Sequence, residues 1–179
     1  MKNSNFIKFL IVVFTFGVIV WLGGSVLRAV IAYSLFIPAT ELELKPEQSD
    51  ELRMNTIKIY SDTAIYTTVS FALVFILSIF FMIYYRKHLK VYGWLFMAFV
   101  LFFIASPIEI YLTYLDIKLM IYVNYSQTIA FTDPEVAEFF LNRLKNFNVL
   151  SPLAYLSFFT AIIFLIYRPL DKSRKNLSE

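Results

Sequence analysis

The sequence predicts an all-α integral membrane protein, built as a bundle of four transmembrane helices with a small extracytoplasmic cap that includes a short amphipathic helix. Of the 179 residues, 59% are hydrophobic and only 16% are charged, whereas soluble domains have roughly 25% charged residues. The apolar residues form four long runs, each with the roughly 17–25 residues that cross about 30 Å of hydrocarbon as a helix. Cations cluster at the ends of these runs, as in multi-pass membrane proteins.

We expect a single membrane domain over residues 1–179, in which apolar spans alternate with polar links. Its parts are a first span at about 9–36, an outer link 37–62, a second span at about 63–85, an inner loop 86–90, a third span at about 91–115, an outer link 116–148, a fourth span at about 149–167 and a tail 168–179. The spans must be helices because lipid offers no hydrogen-bond partners to backbone groups. A cleaved signal peptide is the alternative for the first span. Its apolar run is long for that role and no clear small-x-small cleavage site follows it.

Lysine and arginine set the predicted orientation. Lys2 and Lys8 precede the first span, the inner loop has the sequence RKHLK, and the tail is basic. The two outer links together hold six basic residues against ten acidic ones. The positive-inside rule therefore predicts that both termini and the loop 86–90 are cytoplasmic. The Lys-, Asn-, Ile- and Phe-rich composition suggests a low-GC bacterium, and we expect the protein in the bacterial cytoplasmic (inner) membrane.

The second outer link contains the predicted cap helix. In TDPEVAEFFLNRLKNFN (132–148), Thr132 or Asp133 can cap a helix and Pro134 suits its first position. Apolar residues then recur at helical spacing, so we expect a short amphipathic helix at about 134–147.

The first outer link is acidic and contains two prolines. We expect it to be mostly irregular, with a helical turn after Ser49. Apolar sequence also continues beyond Arg28 and Glu109, so the first and third spans are expected to extend past the bilayer and pack against the cap helix.

Arg28 and Glu109 interrupt the first and third spans. The level of each residue across the membrane can be estimated by counting residues along its helix. Arg28 is about 30 Å beyond Lys8, and Glu109 is about 28 Å beyond Lys90, at 1.5 Å per residue. Both are therefore expected near the outer edge of the hydrocarbon, where a charge costs less than at the bilayer centre.

Both charges share a helix face with small residues, which mark close packing between membrane helices. The predicted packing residues are Gly17, Trp21, Gly24, Ser25 and Ala32 on the first span, and Ala98, Ala105 and Ser106 on the third. We predict that Arg28 and Glu109 pair across these two spans. Asp62 and Asp116 are rival partners for the arginine. The pair either only fixes helix register or also meets a ligand, an ion or a partner.

The residue inventory offers little for chemistry. There is no cysteine, the only histidine is His88, and there are four glycines. This excludes thiolate metal sites, bis-histidine haem sites, HExxH zinc sites and the usual glycine-rich phosphate loops. The acidic links lack EF-hand spacing, and no basic stripe with interleaved aromatics stands clear of the spans. We expect no catalytic set, no metal, no cofactor and no nucleic-acid partner.

These features favour a small non-catalytic membrane protein that acts through helix and cap contacts. It would be an accessory or assembly subunit of a membrane complex, or a homo-oligomer, with membrane lipids and other membrane subunits or its own copies as partners. The alternative is a transporter or channel component with an outward-facing cavity lined by the four intramembrane candidates, Arg28, Glu109, Asp62 and Asp116. A third possibility is a membrane enzyme that acts on lipid through carboxylates near the outer interface.

Overall fold

The computed structural model describes residues 2–126, 130–146 and 149–169. In chain order the helices are α1 (Lys2–Tyr33), α2 (Asp50–Tyr84), α3 (Arg86–Leu89), α4 (Gly93–Tyr125), α5 (Pro134–Val136), α6 (Asn142–Asn146) and α7 (Leu150–Tyr167), with a π-helical turn, Ala137–Leu141, between α5 and α6. The predicted all-α class is confirmed. Four of the helices, α1, α2, α4 and α7, are long and apolar enough to cross a membrane.

Helix α2 begins at Asp50, well before the predicted start of the second span at residue 63. The Ser49 hydroxyl accepts a hydrogen bond from the Leu52 backbone N–H (3.3 Å) and caps the helix. Asp50 and Glu51 occupy the first turn, where the helix dipole favours acids. The helical turn expected after Ser49 is therefore the start of one continuous helix, and the link between α1 and α2 shortens to residues 34–49.

Helix α4 continues to Tyr125, ten residues past the predicted end of the third span at 115. Its 33 residues and the 35 residues of α2 correspond to about 50 Å each, whereas the 18 residues of α7 correspond to about 27 Å. Since the hydrocarbon is about 30 Å thick, α2 and α4 are long enough to continue beyond one bilayer crossing.

The chain divides into two compact units, and the first comprises Met1–Val74 and Leu112–Asn148. The predicted cap helix belongs to it and is helical from Pro134 to Asn146, with the π-helical turn in its middle. We call residues 134–146 the cap segment; Phe147 of the predicted helix lies outside the described residues. The core of this unit consists of buried side chains from α1, the link, α2, α4 and the cap segment: Ala32, Leu35, Phe36, Ile57, Tyr60, Leu119, Val123, Val136, Phe140 and Leu144.

The second unit comprises Phe75–Tyr111 and Val149–Glu179. Aromatic and small side chains form its interior. The Phe102 ring lies 6.4 Å from the Phe75 ring and 5.5 Å from the Phe158 ring, centroid to centroid. The Ser106 hydroxyl donates to the Phe102 carbonyl (2.8 Å), so this buried polar group is satisfied within α4.

Candidate functional site: a buried arginine–aspartate–arginine cluster

Arg28 of α1 is buried in the first unit, with its side chain 3% exposed. Its guanidinium binds Asp116 of α4 at two points, Nη1 to Oδ2 and Nη2 to Oδ1, both 2.8 Å. Two parallel contacts are the arrangement in which the planar guanidinium matches a carboxylate. Arg28 Nη1 also donates to the Thr67 hydroxyl (3.1 Å), and Nε donates to the Tyr60 carbonyl (3.2 Å). Arg28 therefore connects α1 to both α2 and α4.

A second arginine reaches the same carboxylate from the cap segment. Nη1 of Arg143 lies 2.5 Å from Asp116 Oδ2 and donates to the Leu112 carbonyl (2.8 Å). The Tyr60 hydroxyl donates to the other carboxylate oxygen, Oδ1 (3.3 Å). Asp116, whose side chain is 5% exposed, thus holds α1, α2 and the cap segment to α4. We call Arg28, Tyr60, Thr67, Asp116 and Arg143 the Asp116 cluster.

Tyr60 contributes to this cluster with its ring as well as with its polar groups. The Arg28 guanidinium lies 4.2 Å from the centroid of the Tyr60 ring, within cation–π range. The Phe140 ring meets the same ring edge-on, at 5.2 Å and 80°, which is a favoured aromatic geometry. Tyr60 therefore links the ion cluster directly to the apolar core beneath the cap segment.

The carboxylate that the structure shows bound to Arg28 is Asp116, which the sequence analysis named as a rival of the predicted partner Glu109. The two acids are seven residues apart, so they share a side of α4 and helical phase does not separate them. The level count began at Lys90, whereas α4 begins at Gly93, which shifts every level by about 4.5 Å.

The other two intramembrane candidates differ in burial. Glu109 is buried, at 4% exposure, in the second unit. Asp62, on α2, is exposed and does not join the cluster around Arg28.

The predicted packing residues mostly lie in the interior. Gly17, Trp21, Ser25, Ala32, Ala98, Ala105 and Ser106 are buried, and Gly24 is half-buried. The α1 glycines allow a close approach to α2: a Cβ added at Gly24 would lie 2.7 Å from Thr67 Cγ2, and one at Gly17 would lie 3.0 Å from Val74 Cγ2. Gly24 thereby allows Thr67 to lie close enough to α1 to bond Arg28.

Arg143, Tyr60 and Thr67 were missing from the predicted site. Arg143 had a detectable signal, because it falls at helical spacing among the apolar residues of the cap segment, next to the buried Leu144. A cation on the apolar face of an amphipathic helix needs a buried partner. Tyr60 had no such signal, since its backbone carbonyl, hydroxyl and ring reach the cluster only through tertiary packing.

The contacts of the Asp116 cluster join helices to one another and to the cap segment. The Arg28 and Arg143 donors are directed at one carboxylate, a hydroxyl and backbone carbonyls. Within the described part of the chain, no group of three or more His, Cys, Asp and Glu residues is arranged to hold a metal ion.

No protein-family model, curated protein or solved structure matches the chain. Fold and site therefore define its class: a multi-pass α-helical membrane protein that carries a buried ion cluster.

Proposed function

We propose that the protein is a small non-catalytic component of a membrane assembly, formed with other membrane subunits or with its own copies, and that it acts through helix and cap contacts. The burial of the Asp116 cluster supports this proposal. The side chains of Arg28, Asp116 and Arg143 are 3%, 5% and 11% exposed. A charge that handles a solute has to meet water or that solute, whereas these charges are engaged in joining three helices and the cap segment.

The assembly role is tested by purifying tagged protein from its own membranes in mild detergent and measuring intact complexes by native mass spectrometry. We expect a defined stoichiometry, either of several copies or with a second membrane protein. A homogeneous monomer under conditions that preserve a known membrane complex in the same extract would refute the proposal.

A transporter or channel component is the rival role, and it requires water to reach the cluster. Because the chain has no cysteine, a single Thr67→Cys variant reports this access with a small water-soluble thiol reagent. We expect no labelling in the folded protein and full labelling after denaturation, with the exposed Lys58→Cys variant labelled in both states. Rapid labelling of folded Thr67→Cys would favour transport.

The proposed orientation places both termini and α3 in the cytoplasm of a bacterial inner membrane. It is supported by the distribution of lysine and arginine. In intact cells, a membrane-impermeant thiol reagent should label Glu41→Cys, in the first link, and should label His88→Cys, in α3, only after the cells are opened. The opposite pattern would invert the topology.

A further inference from the structure

In the second unit, a series of ring contacts runs from the residue before α3 to the first turn of α4. Ring centroids lie 5.7 Å apart for Tyr85 and His88, 6.1 Å for His88 and Tyr92, and 6.0 Å for Tyr92 and Trp94. We call these four residues the aromatic ladder. At its far end, the Arg168 guanidinium lies 5.2 Å from the Trp94 ring centroid. The ladder therefore connects α3 to the residue that follows α7.

The ladder fixes the conformation of a short basic segment. His88 stacks on Tyr92 with ring planes 9° apart and meets Tyr85 edge-on at 78°. Its backbone N–H donates to the Tyr85 carbonyl, and the Tyr92 N–H donates to the His88 carbonyl, both at 2.8 Å. The segment is thus held by rings and by backbone hydrogen bonds at the same time.

The cationic side chains of this segment are exposed on the protein surface. Arg86, Lys87 and Lys90 are all exposed, and Arg168 adds a fourth cation at Trp94. Residues 84–94 include no acidic residue. Arg28 is buried and bonded to Asp116, whereas Arg86, Lys87 and Lys90 are exposed and their segment contains no carboxylate.

The position of the ladder matches the level of lipid headgroups. Three candidate membrane helices end or begin there: α2 ends at Tyr84, α4 begins at Gly93 and α7 ends at Tyr167. Tyrosine and tryptophan favour the membrane–water interface. Four to eight cations next to a membrane span attract anionic lipids, and four described cations lie here.

We propose that this surface, made of Arg86, Lys87, Lys90 and Arg168 around the aromatic ladder, binds the phosphates of anionic phospholipid headgroups. The cations contact phosphate oxygens, while the ladder and its backbone hydrogen bonds fix the segment that carries three of them and the Trp94 ring contacts the fourth, Arg168. This lipid-binding role goes beyond the proposed assembly role and does not depend on it.

The test uses the full chain in nanodiscs with equal amounts of phosphatidylglycerol and phosphatidylcholine. After extraction into mild detergent, native mass spectrometry counts the lipids that remain bound. We expect phosphatidylglycerol to be enriched on the wild-type protein. The triple variant Arg86→Gln/Lys87→Gln/Lys90→Gln should lower this enrichment about ten-fold or more, since one cation at the membrane surface contributes a factor of about five.

The matched control removes three exposed cations from the first unit: Lys58→Gln/Lys118→Gln/Lys145→Gln. It should retain the enrichment. Equal retention of the two lipids by the wild type, unchanged enrichment in the α3 variant, or an equal loss in the control would each overturn the proposal.

Two further measurements distinguish a lipid site that depends on the aromatic ladder from attraction by charge alone. Tyr92→Ala keeps every cation but breaks the ladder, so it should lower the enrichment several-fold, and no change would contradict the role of the rings. Inorganic phosphate should not displace the lipid. Full displacement by phosphate would assign the surface to a free anion instead of a lipid.

Discussion

The arginine side chains of the Asp116 cluster are 3% and 11% exposed and share one carboxylate, whereas the cations around α3 are exposed and have no acid in their segment. A buried charge without a partner costs several kcal/mol, so the first group fixes the positions of the helices that carry it. Exposed charges are screened by water and salt and contribute little to stability. Burial therefore separates cations that hold the fold together from cations that are available to the surroundings.

The comparison predicts its largest effect at the shared carboxylate. Asp116→Asn removes the negative charge that binds the Arg143 guanidinium and the buried Arg28 guanidinium, so the free energy of unfolding should fall by about 3–5 kcal/mol. Denaturant titration in detergent micelles, followed by tryptophan fluorescence, measures this change. The same substitution at the exposed Asp62 should change the value by no more than about 0.5 kcal/mol. Equal effects at both positions would remove the distinction between buried and exposed charges.

The next effect concerns the arginine of the cap segment. Arg143→Leu removes the bonds to Asp116 and to the Leu112 carbonyl but leaves Asp116 paired with Arg28, so we expect a loss of about 1.5–3 kcal/mol. Hydrogen exchange should show the loss of protection concentrated in residues 134–146. The control, Lys145→Gln, changes an exposed cation of the same segment and should leave the exchange unchanged. Unaltered protection in Arg143→Leu would show that apolar packing alone holds the segment.

Two adjacent glycines test the close approach that brings Thr67 to Arg28. In Gly24→Ala the new methyl group would meet Thr67 Cγ2 at 2.7 Å. Thr67 is β-branched and bonded to Arg28, so we expect a loss of about 1–3 kcal/mol from overpacking.

The control is Gly23→Ala, where an added Cβ meets nothing within 4 Å. Alanine is the better helix former, so this variant should be unchanged or more stable by up to about 1 kcal/mol. Thermal unfolding of the two variants side by side measures the difference. If they behave alike, α1 does not depend on contact with α2 at this level.

The smallest effect is expected for the exposed cations. In detergent without anionic lipid, the triple variant Arg86→Gln/Lys87→Gln/Lys90→Gln should unfold within about 0.5 kcal/mol of the wild type. The denaturant titration used for Asp116→Asn gives this value. A loss above about 2 kcal/mol would mean that these cations also support the fold.

The fold was predictable because long apolar runs and the cations at their ends are properties of single segments. The face of α1 that carries Arg28 and the small residues could be identified from helical phase alone. The bond between Asp116 and Arg28 did not follow, because Glu109 and Asp116 lie on one side of α4 and the sequence alone does not give the helix start, Gly93, from which their levels are counted.

The role of Tyr60 was beyond the reach of the sequence for a different reason. It binds Arg28 through a backbone carbonyl and a ring face, and every residue has a carbonyl. Only the packing of α1 on α2 selects the residue whose carbonyl is near the guanidinium.

The distance along the chain between Arg28 and Asp116 has a consequence for biosynthesis. Arg28 precedes its carboxylate by 88 residues, which a ribosome adds in roughly 4–18 s at about 5–20 residues per second. During this interval the newly made α1 has its arginine but not yet its partner. Arg28 is five residues from Tyr33, the last residue of the helix, so the nascent guanidinium lies within reach of water and headgroups. The order of synthesis therefore favours an arginine near the end of the first helix over one at its centre.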